Sequence, residues 1–498
     1  MDEWHQLMAV RALVREGTSN TVGAANGPIF QFLQAGVWIA PAVVTNYTAL
    51  TTITTPISGL FAQERLFTLL RLNTLFFGLG TLYCLRLILK KYLHINRSFI
   101  IFLLFSPGWL LLNNYFKYDI TLLFFTSLTL LLLLQYGRDH TLKTYLFAGM
   151  SVGFALATKI SALPILLLYT LSFFIYEKNW KARWSVLSYG LTTVLCVFAL
   201  CGIPDLLFLA KGDYLTFLYD NIITVPGSSA NFILPRNYYI YLFTHQFYTT
   251  FGVGYSLLLL ASIFLSVLYR KQLRHTISAD EKLMWLGTGL VLCSLLPLKM
   301  YMVGNRFIML FPLIFLVLAI SIKKLFAVIK QNSGKTLLYY ILSIAMVLQI
   351  GHGLAAFSLH ILPDPREEAS FWIKEHIVNT QIGIENIPVY QMLPDNVLKE
   401  YYENLYFKRI TDGRTYLVFD KPLPQMPPVV IVTNSETATY FHTTPKKELV
   451  RYLEENGYSR KALFTPNLLF YSAFGNKQDL YISGLAAIPT DIAIYSRD

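Results

Sequence analysis

Apolar residues in this chain run in blocks. From about residue 65 onward, ten blocks follow one another, near 65–89, 98–113, 119–136, 143–158, 160–177, 184–209, 248–269, 281–298, 306–322 and 336–361. A helix needs roughly 20 apolar residues to cross bilayer hydrocarbon. The pattern therefore predicts an α-helical polytopic membrane protein of about ten spans. After Asp364-Pro365 the pattern changes. Asp-Pro followed by Glu367-Glu368 is a helix-start signal ahead of the amphipathic run Ser370–Ile377. Short runs at Thr415–Phe419, Val429–Thr433, Leu468–Tyr471 and Asp491–Tyr495 read as strands, and Pro445–Asn456 as a second helix. The expected organisation is a first loop with interfacial helices over 1–62, a helical bundle over 63–361 and a small C-terminal α/β domain over 362–498.

Charge orients the bundle. Lys90, Lys91 and Arg97 fall between the same kind of blocks as Arg138 and Lys143. The same holds for Lys178, Lys181 and Arg183, for Arg270, Lys271 and Arg274, and for Lys323, Lys324, Lys330 and Lys335. Strict alternation puts all five clusters on one side, which the excess of basic residues in short cytoplasmic loops makes the cytoplasm. The other face then receives residues 113–119, the Thr158-Lys159 turn, the loop from about 210 to 247, residues 299–306 and the whole tail. The net charge of +12 is uneven. From Asp364 onward 14 Lys/Arg stand against 17 Asp/Glu, whereas the preceding part carries 27 against 12. Basic residues confined to short loops match anionic lipid and argue against a nucleic-acid partner. With 54% hydrophobic and 14% charged residues, the chain is far from a soluble composition, in which about a quarter is charged. Cys84, Cys196, Cys201 and Cys293 all lie in apolar blocks, with no disulfide framework or zinc spacing.

The first forty residues open on Asp2-Glu3 and continue with helical periodicity through Trp4, Leu7, Met8, Ala12 and Leu13. A Gly/Ser/Asn turn follows, and a second apolar helix starts at Gly27-Pro28. Residues 28–46 either span or lie flat at the outer surface as an interfacial helix; hydropathy leaves both open. With an acidic start and no apolar run in the first 25 residues, no cleavable signal peptide is visible. Asp2-Glu3 reads either as a reactive pair at the membrane surface or as an ordinary polar terminus.

Four further places carry candidate chemistry. Lys117, Tyr118 and Asp119 open a span; a lysine there can snorkel, and an aspartate can simply cap its helix. Lys159 closes the run Gly149–Lys159, in which Gly149 and Gly153 form a close-packing pair. Its ammonium is either an interfacial anchor or a cation for a lipid phosphate. Arg306 precedes Phe307 at the outer mouth of a late span, against the positive-inside tendency, and its planar fork suits phosphate. Arg236 and His245 flank the Tyr238–Tyr241 aromatic run, which also fits a membrane-interface belt. Gly78-Leu79-Gly80 and Gly252-Val253-Gly254 lack the strand–turn–helix context of a dinucleotide site and read as packing glycines within apolar helices.

In order and in facing, these residues resemble the GT-C polytopic glycosyltransferases, in the branch of the protein O-mannosyltransferases and the aminoarabinose transferases. The resemblance rests on Asp2-Glu3 with its following helix, Lys117-Tyr118-Asp119, Gly149 to Lys159, and Arg306-Phe307, and it covers residues 1–361. The family has a span before its Asp-Glu, so an upstream span is expected to be missing here. The resemblance implies an inverting transfer of a sugar from a polyprenyl-phosphate donor to a hydroxyl of a protein, lipid or polysaccharide. Asp2 is then the base, with Glu3 beside it, and Asp119 a second carboxylate orienting base or acceptor. Lys117, Lys159, Arg236 and Arg306 become cations for the lipid phosphate. No metal or other cofactor is expected, because cations suffice for a monophosphate leaving group. A multi-pass prokaryotic plasma-membrane protein with an extracytoplasmic tail follows. The rival reading is a polytopic transporter or flippase, though transporters gather ionisable residues near the midplane and often show internal repeats.

Overall fold

The computed structural model describes residues 10, 13–14, 29–47, 64–181, 183–203, 247–269, 277–295, 308–329, 331–359, 361–385, 397, 400–401, 410–419, 422–434, 445–475 and 491–497. Within them, helix falls on each of the ten apolar blocks. The bundle comprises α1 (Ile29–Val44), α2 (Glu64–Leu87), the short pair α3 (Ile101–Leu104) and α4 (Pro107–Asn113), α5 (Tyr118–Asp139), α6 (Leu142–Thr158), α7 (Leu163–Tyr176) and α8 (Trp184–Gly202). It continues with α9 (Phe247–Phe251), α10 (Val253–Leu268), α11 (Ala279–Leu295), α12 (Leu310–Val328) and α13 (Asn332–Ser358). Five helices among the described residues are long and apolar enough to cross a membrane, fewer than the ten spans expected. They make the chain an integral membrane protein. Two of the blocks are broken instead of continuous. Block 98–113 bends at Ser106, before Pro107, and block 248–269 breaks at Gly252, whose φ of 108° only glycine adopts readily. Gly252 thus breaks the helix expected to run through it, yet it packs closely as expected: a Cβ there would collide with the Gln349 amide.

Side-chain contacts fix the direction of each helix. Cβ atoms built at Gly78 and Gly80 of α2 would meet Ile120 and Phe124 of α5, so these two helices run parallel. Thr129 donates to Ser151 at 3.0 Å across α5 and α6, which run antiparallel. Tyr145 of α6 stacks on Tyr169 of α7 at 4.5 Å, again antiparallel. Gly149 and Gly153 let α8 approach α6 closely: a Cβ at Gly149 would lie 3.0 Å from the Gly190 carbonyl, and one at Gly153 would lie 2.7 Å from Val197. The expected role of this glycine pair is the one found.

These directions gather the polar loop residues at two opposite ends. At one end Arg138 donates to the Lys91 carbonyl at 2.9 Å and Lys323 to the Leu93 carbonyl at 2.5 Å. Lys324 pairs with Glu281 at 2.6 Å, and Tyr176 donates to Asp280 at 2.9 Å. Arg183 meets Glu177 at 2.6 Å, alongside Tyr136 at 2.6 Å and His140 at 3.1 Å. This is the basic end. The other end, the mouth, holds the starts of α2 and α5 and the Thr158-Lys159 turn. There α1 lays Ile29, Phe32, Ala35 and Ile39 against Leu66 and Leu70 of α2 and against Phe116.

After α13 the chain forms a small domain. Asp364 caps α14 (Pro365–His376) through the Arg366 amide, with Pro365 at the first helical position. A five-stranded sheet follows in the order β2-β1-β3-β5-β4, from β1 (Gln381–Glu385), β2 (Thr415–Phe419), β3 (Val429–Asn434), β4 (Tyr458–Phe464) and β5 (Asp491–Arg497). The pairs β1–β2 and β1–β3 are parallel; β3–β5 and β4–β5 are antiparallel. Helix α14 covers one face, and α15 (Pro445–Glu455) covers the other. One sequence expectation is overturned here: Leu468–Tyr471 is no strand. It turns into the 3₁₀ segment Tyr471–Ala473, with Leu468, Tyr471 and Phe474 packed on the bundle.

Candidate functional site

The mouth of the bundle is where opposite charges meet in an apolar surround. Lys117 is the residue before α5, in an extended conformation, and its side chain supplies no cap. Asp119, in the first helical turn, is fully buried. Its carboxylate is spent on ion pairs: Lys159 Nζ donates to Oδ1 at 2.9 Å, and Lys117 Nζ lies 3.5 Å from Oδ2. Lys159 itself sits just past the end of α6, extended, with its ammonium 4.7 Å from the Tyr118 ring centre. The aspartate is therefore not the helix cap that sequence alone allows, and Lys159 turns inward instead of anchoring in lipid. With side chains 7% and 13% exposed, neither Lys117 nor Lys159 snorkels to water. Ionised groups so deep in a membrane bundle are expensive, persist only when paired, and mark functional sites.

A belt of uncharged polar side chains adjoins this trio. Gln31 of α1 accepts from Thr121 of α5 at 2.9 Å, both fully buried. On α2, Leu66, Leu70, Asn73 and Phe77 form one stripe. Leu66 and Leu70 meet Ile29 and Phe32, and Phe77 lies 6.3 Å from Phe30, so Asn73 faces the same α1 seam as Gln31. Asn73 Nδ2 and Oδ1, Gln31 Nε2 and Thr74 Oγ1 have no hydrogen-bond partner among the described residues. Buried polar atoms nearly always find one, so this seam is primed for a polar ligand or bound water. Gln31, Asn73, Thr74 and Thr121 carry no mark in the sequence, because uncharged amides and threonines inside apolar blocks are common; only their position beside charged span mouths sets them apart.

Asp2, Glu3, Arg236 and Arg306, together with Lys299 and His245, lie outside the described residues. The geometry thus unites Lys117, Asp119 and Lys159 out of the seven candidates. Among the described residues, no group of three or more His, Cys, Asp or Glu gathers as a metal site would. Chemically, the trio offers two ammonium groups held beside one carboxylate at the edge of a low-dielectric bundle, an arrangement able to steady a phosphate oxygen.

No family model matches the chain. No curated protein matches it. Among solved structures it is similar to the crystal structure of ArnT from Cupriavidus metallidurans bound to undecaprenyl phosphate, at 11% identity, covering 99% of this chain and 93% of that one, with a TM-score of 0.48.

Proposed function

We propose that this chain is an inverting glycosyltransferase that moves a sugar from a polyprenyl-phosphate donor to a hydroxyl acceptor at the extracytoplasmic face of a prokaryotic membrane. The observation that carries the reading is the buried Asp119 with Lys117 and Lys159 at the mouth of the bundle. The sequence resemblance to the GT-C transferases supports it, as does the polar seam around Gln31 and Asn73, whose unpartnered atoms suit a hydroxyl-rich sugar. In this mechanism the acceptor oxygen attacks C1 as its proton passes to a carboxylate, for which Asp2, with Glu3 beside it, is the candidate. The bond from C1 to the phosphate oxygen breaks, and its electron pair stays on the lipid phosphate. Lys117 and Lys159, joined by Arg236 and Arg306, stabilise that growing charge. Asp119 holds Lys159 aimed through their 2.9 Å ion pair. A divalent metal is not needed when ammonium and guanidinium groups neutralise a monophosphate.

The test is release of polyprenyl phosphate from a panel of radiolabelled polyprenyl-phosphate sugars. Asp119→Asn and Lys159→Gln are each expected to slow release by about 100-fold or more, the scale for losing one charge-stabilising group. Unchanged release in both variants would overturn the assignment of roles. A second reading, a transporter or flippase of lipid-linked substrates, is favoured by the two broken helices at Ser106 and Gly252. It predicts movement of donor across vesicles with no release from any donor.

A further inference from the structure

The C-terminal domain reaches down the flank of the bundle. In the turn from Asn467 to Gly475, Tyr471 is fully buried, and Leu468 and Phe474 pack with it on the bundle core. Phe474 stacks on His352 of α13, with ring centres 5.1 Å apart and planes 5° apart, and Tyr471 lies 5.7 Å from the same imidazole. A Cβ at Gly351 would lie 3.0 Å from Phe474 Cζ, so the glycine admits the ring. His352 is fully buried, and its Nδ1 accepts from the Val253 amide at 3.2 Å.

Depth along α13 gives this contact its meaning. From Leu337 through Leu362 the chain carries no Asp, Glu, Lys or Arg, and its polar Gln349 and His352 are both fully buried. A span entering at Leu337 leaves the hydrocarbon only after roughly 20 residues, near Ala356. His352 precedes the helix end at Ser358 by six residues, about 9 Å at 1.5 Å per residue. Leu354, farther toward the mouth than His352, is still 54% exposed on the bundle surface. The turn docked at His352 therefore sits level with the edge of the bilayer and not above it. On its outward side Leu469 and Phe470 are 72% and 57% exposed. They are two adjacent large apolar side chains at that level, and their neighbours Leu468 and Tyr471 are fixed to the bundle.

We infer that the Asn467–Gly475 turn is a membrane anchor of the C-terminal domain, with Leu469 and Phe470 inserted into the headgroup–acyl boundary beside α13. Such a wedge fits interfacial insertion, where a few apolar side chains enter the boundary region. It depends on the membrane-spanning bundle alone and holds whichever reading of the mouth is right.

The experiment places a photoreactive benzoyl-phenylalanine at Phe470, and separately at Leu469, in the full chain. The protein is reconstituted in vesicles of phosphatidylcholine and phosphatidylglycerol and illuminated. Both sites are exposed, so the probes leave folding intact. The expected result is a phospholipid-mass adduct on the peptide carrying either probe. The same probe at the exposed Arg451, on the helix covering the far face of the sheet, is expected to give none. Absence of lipid adduct at both 469 and 470, adducts only to a second copy of the chain, or equal lipid labelling at 451 would each overturn the inference.

Discussion

At the scale of single residues, Asp119 stands between two lysines, so the variants that remove it differ in kind. Asp119→Asn leaves two buried ammonium groups without their carboxylate, whereas Lys159→Gln leaves the carboxylate one cation. Breaking a buried pair costs about 3–5 kcal/mol, so both variants are expected to melt earlier in detergent. Exchanging the polar seam differs again: Asn73→Leu removes atoms that have no hydrogen-bond partner among the described residues and is expected to keep or raise the melting temperature while weakening sugar-dependent release. At the basic end, burial pushes the Glu177 carboxyl up, but the hydrogen bonds from Tyr136, His140 and Arg183 outweigh it and leave it below its ordinary value. A lowered folded pKa means stability present above the unfolded value and lost as pH falls through the lowered one. Thermal melts across the acid range are expected to show that loss in the wild type and a flatter limb in Glu177→Gln. Lys117, Asp119 and Lys159 were legible in the sequence because charges at the ends of apolar blocks are rare. Gln31 and Asn73 were not, since one amide in a helical block signals nothing until its neighbours are known.

At the scale of elements, the blocks announced the helices because bilayer thickness sets their length. What hydropathy cannot show is a break inside an apolar block. Gly252 and Ser106 are such breaks, and Gln349 of α13 serves both: it donates to the carbonyls of Phe251 at 2.7 Å and Phe102 at 3.0 Å and accepts from the Tyr255 amide at 2.9 Å. Backbone groups freed within a membrane must be satisfied by protein. Gln349→Leu strands the Tyr255 amide, at about 1–3 kcal/mol, and leaves the Phe102 and Phe251 carbonyls to share the one Ser106 hydroxyl, 3.1 Å and 2.8 Å away, so a fall in melting temperature is expected. Glycine positions divide likewise. Gly190→Ala would drive a methyl into the Tyr169 hydroxyl and the Tyr145 ring, whereas Gly289 has open space around it. Thermal melts are expected to fall for the first and to hold for Gly289→Ala. In the small domain, β1 escaped notice because Gly383 interrupts a five-residue run, and β4 because Ser459, Arg460 and Lys461 make this edge strand polar. Leu468–Tyr471 misled in the opposite way: its apolar run suggests a strand, yet Leu468, Tyr471 and Phe474 follow the three-residue spacing of a helical turn.

At the scale of the whole molecule, two attachments hold the C-terminal domain together and to the bundle. Inside it, the buried Arg414 donates to both oxygens of Glu400 at 2.8 Å and to the Ile377 carbonyl at 2.8 Å; the hydrogen bond to Glu400, above all, raises its pKa, so it stays charged throughout. Against the bundle, Phe474 and Tyr471 close on His352. Phe474→Ala is expected to speed hydrogen exchange at the amides of Phe474 and Gly475, both bonded to the Tyr471 carbonyl, while strands β3 and β5 keep their protection. Nothing along the chain signalled this junction, because it joins residues about 120 positions apart through a lone histidine in an apolar block.

The Gln349 junction also bears on how the protein is born. The ribosome delivers Phe102 and Phe251 long before the side chain that completes their hydrogen bonds. Until α13 follows, the two kinks have only the single Ser106 hydroxyl to share, 3.1 Å from the Phe102 carbonyl and 2.8 Å from that of Phe251. Maturation is therefore governed by α13: polypeptides halted before residue 349 are expected to remain unfinished and be degraded, however many earlier helices have already entered the bilayer.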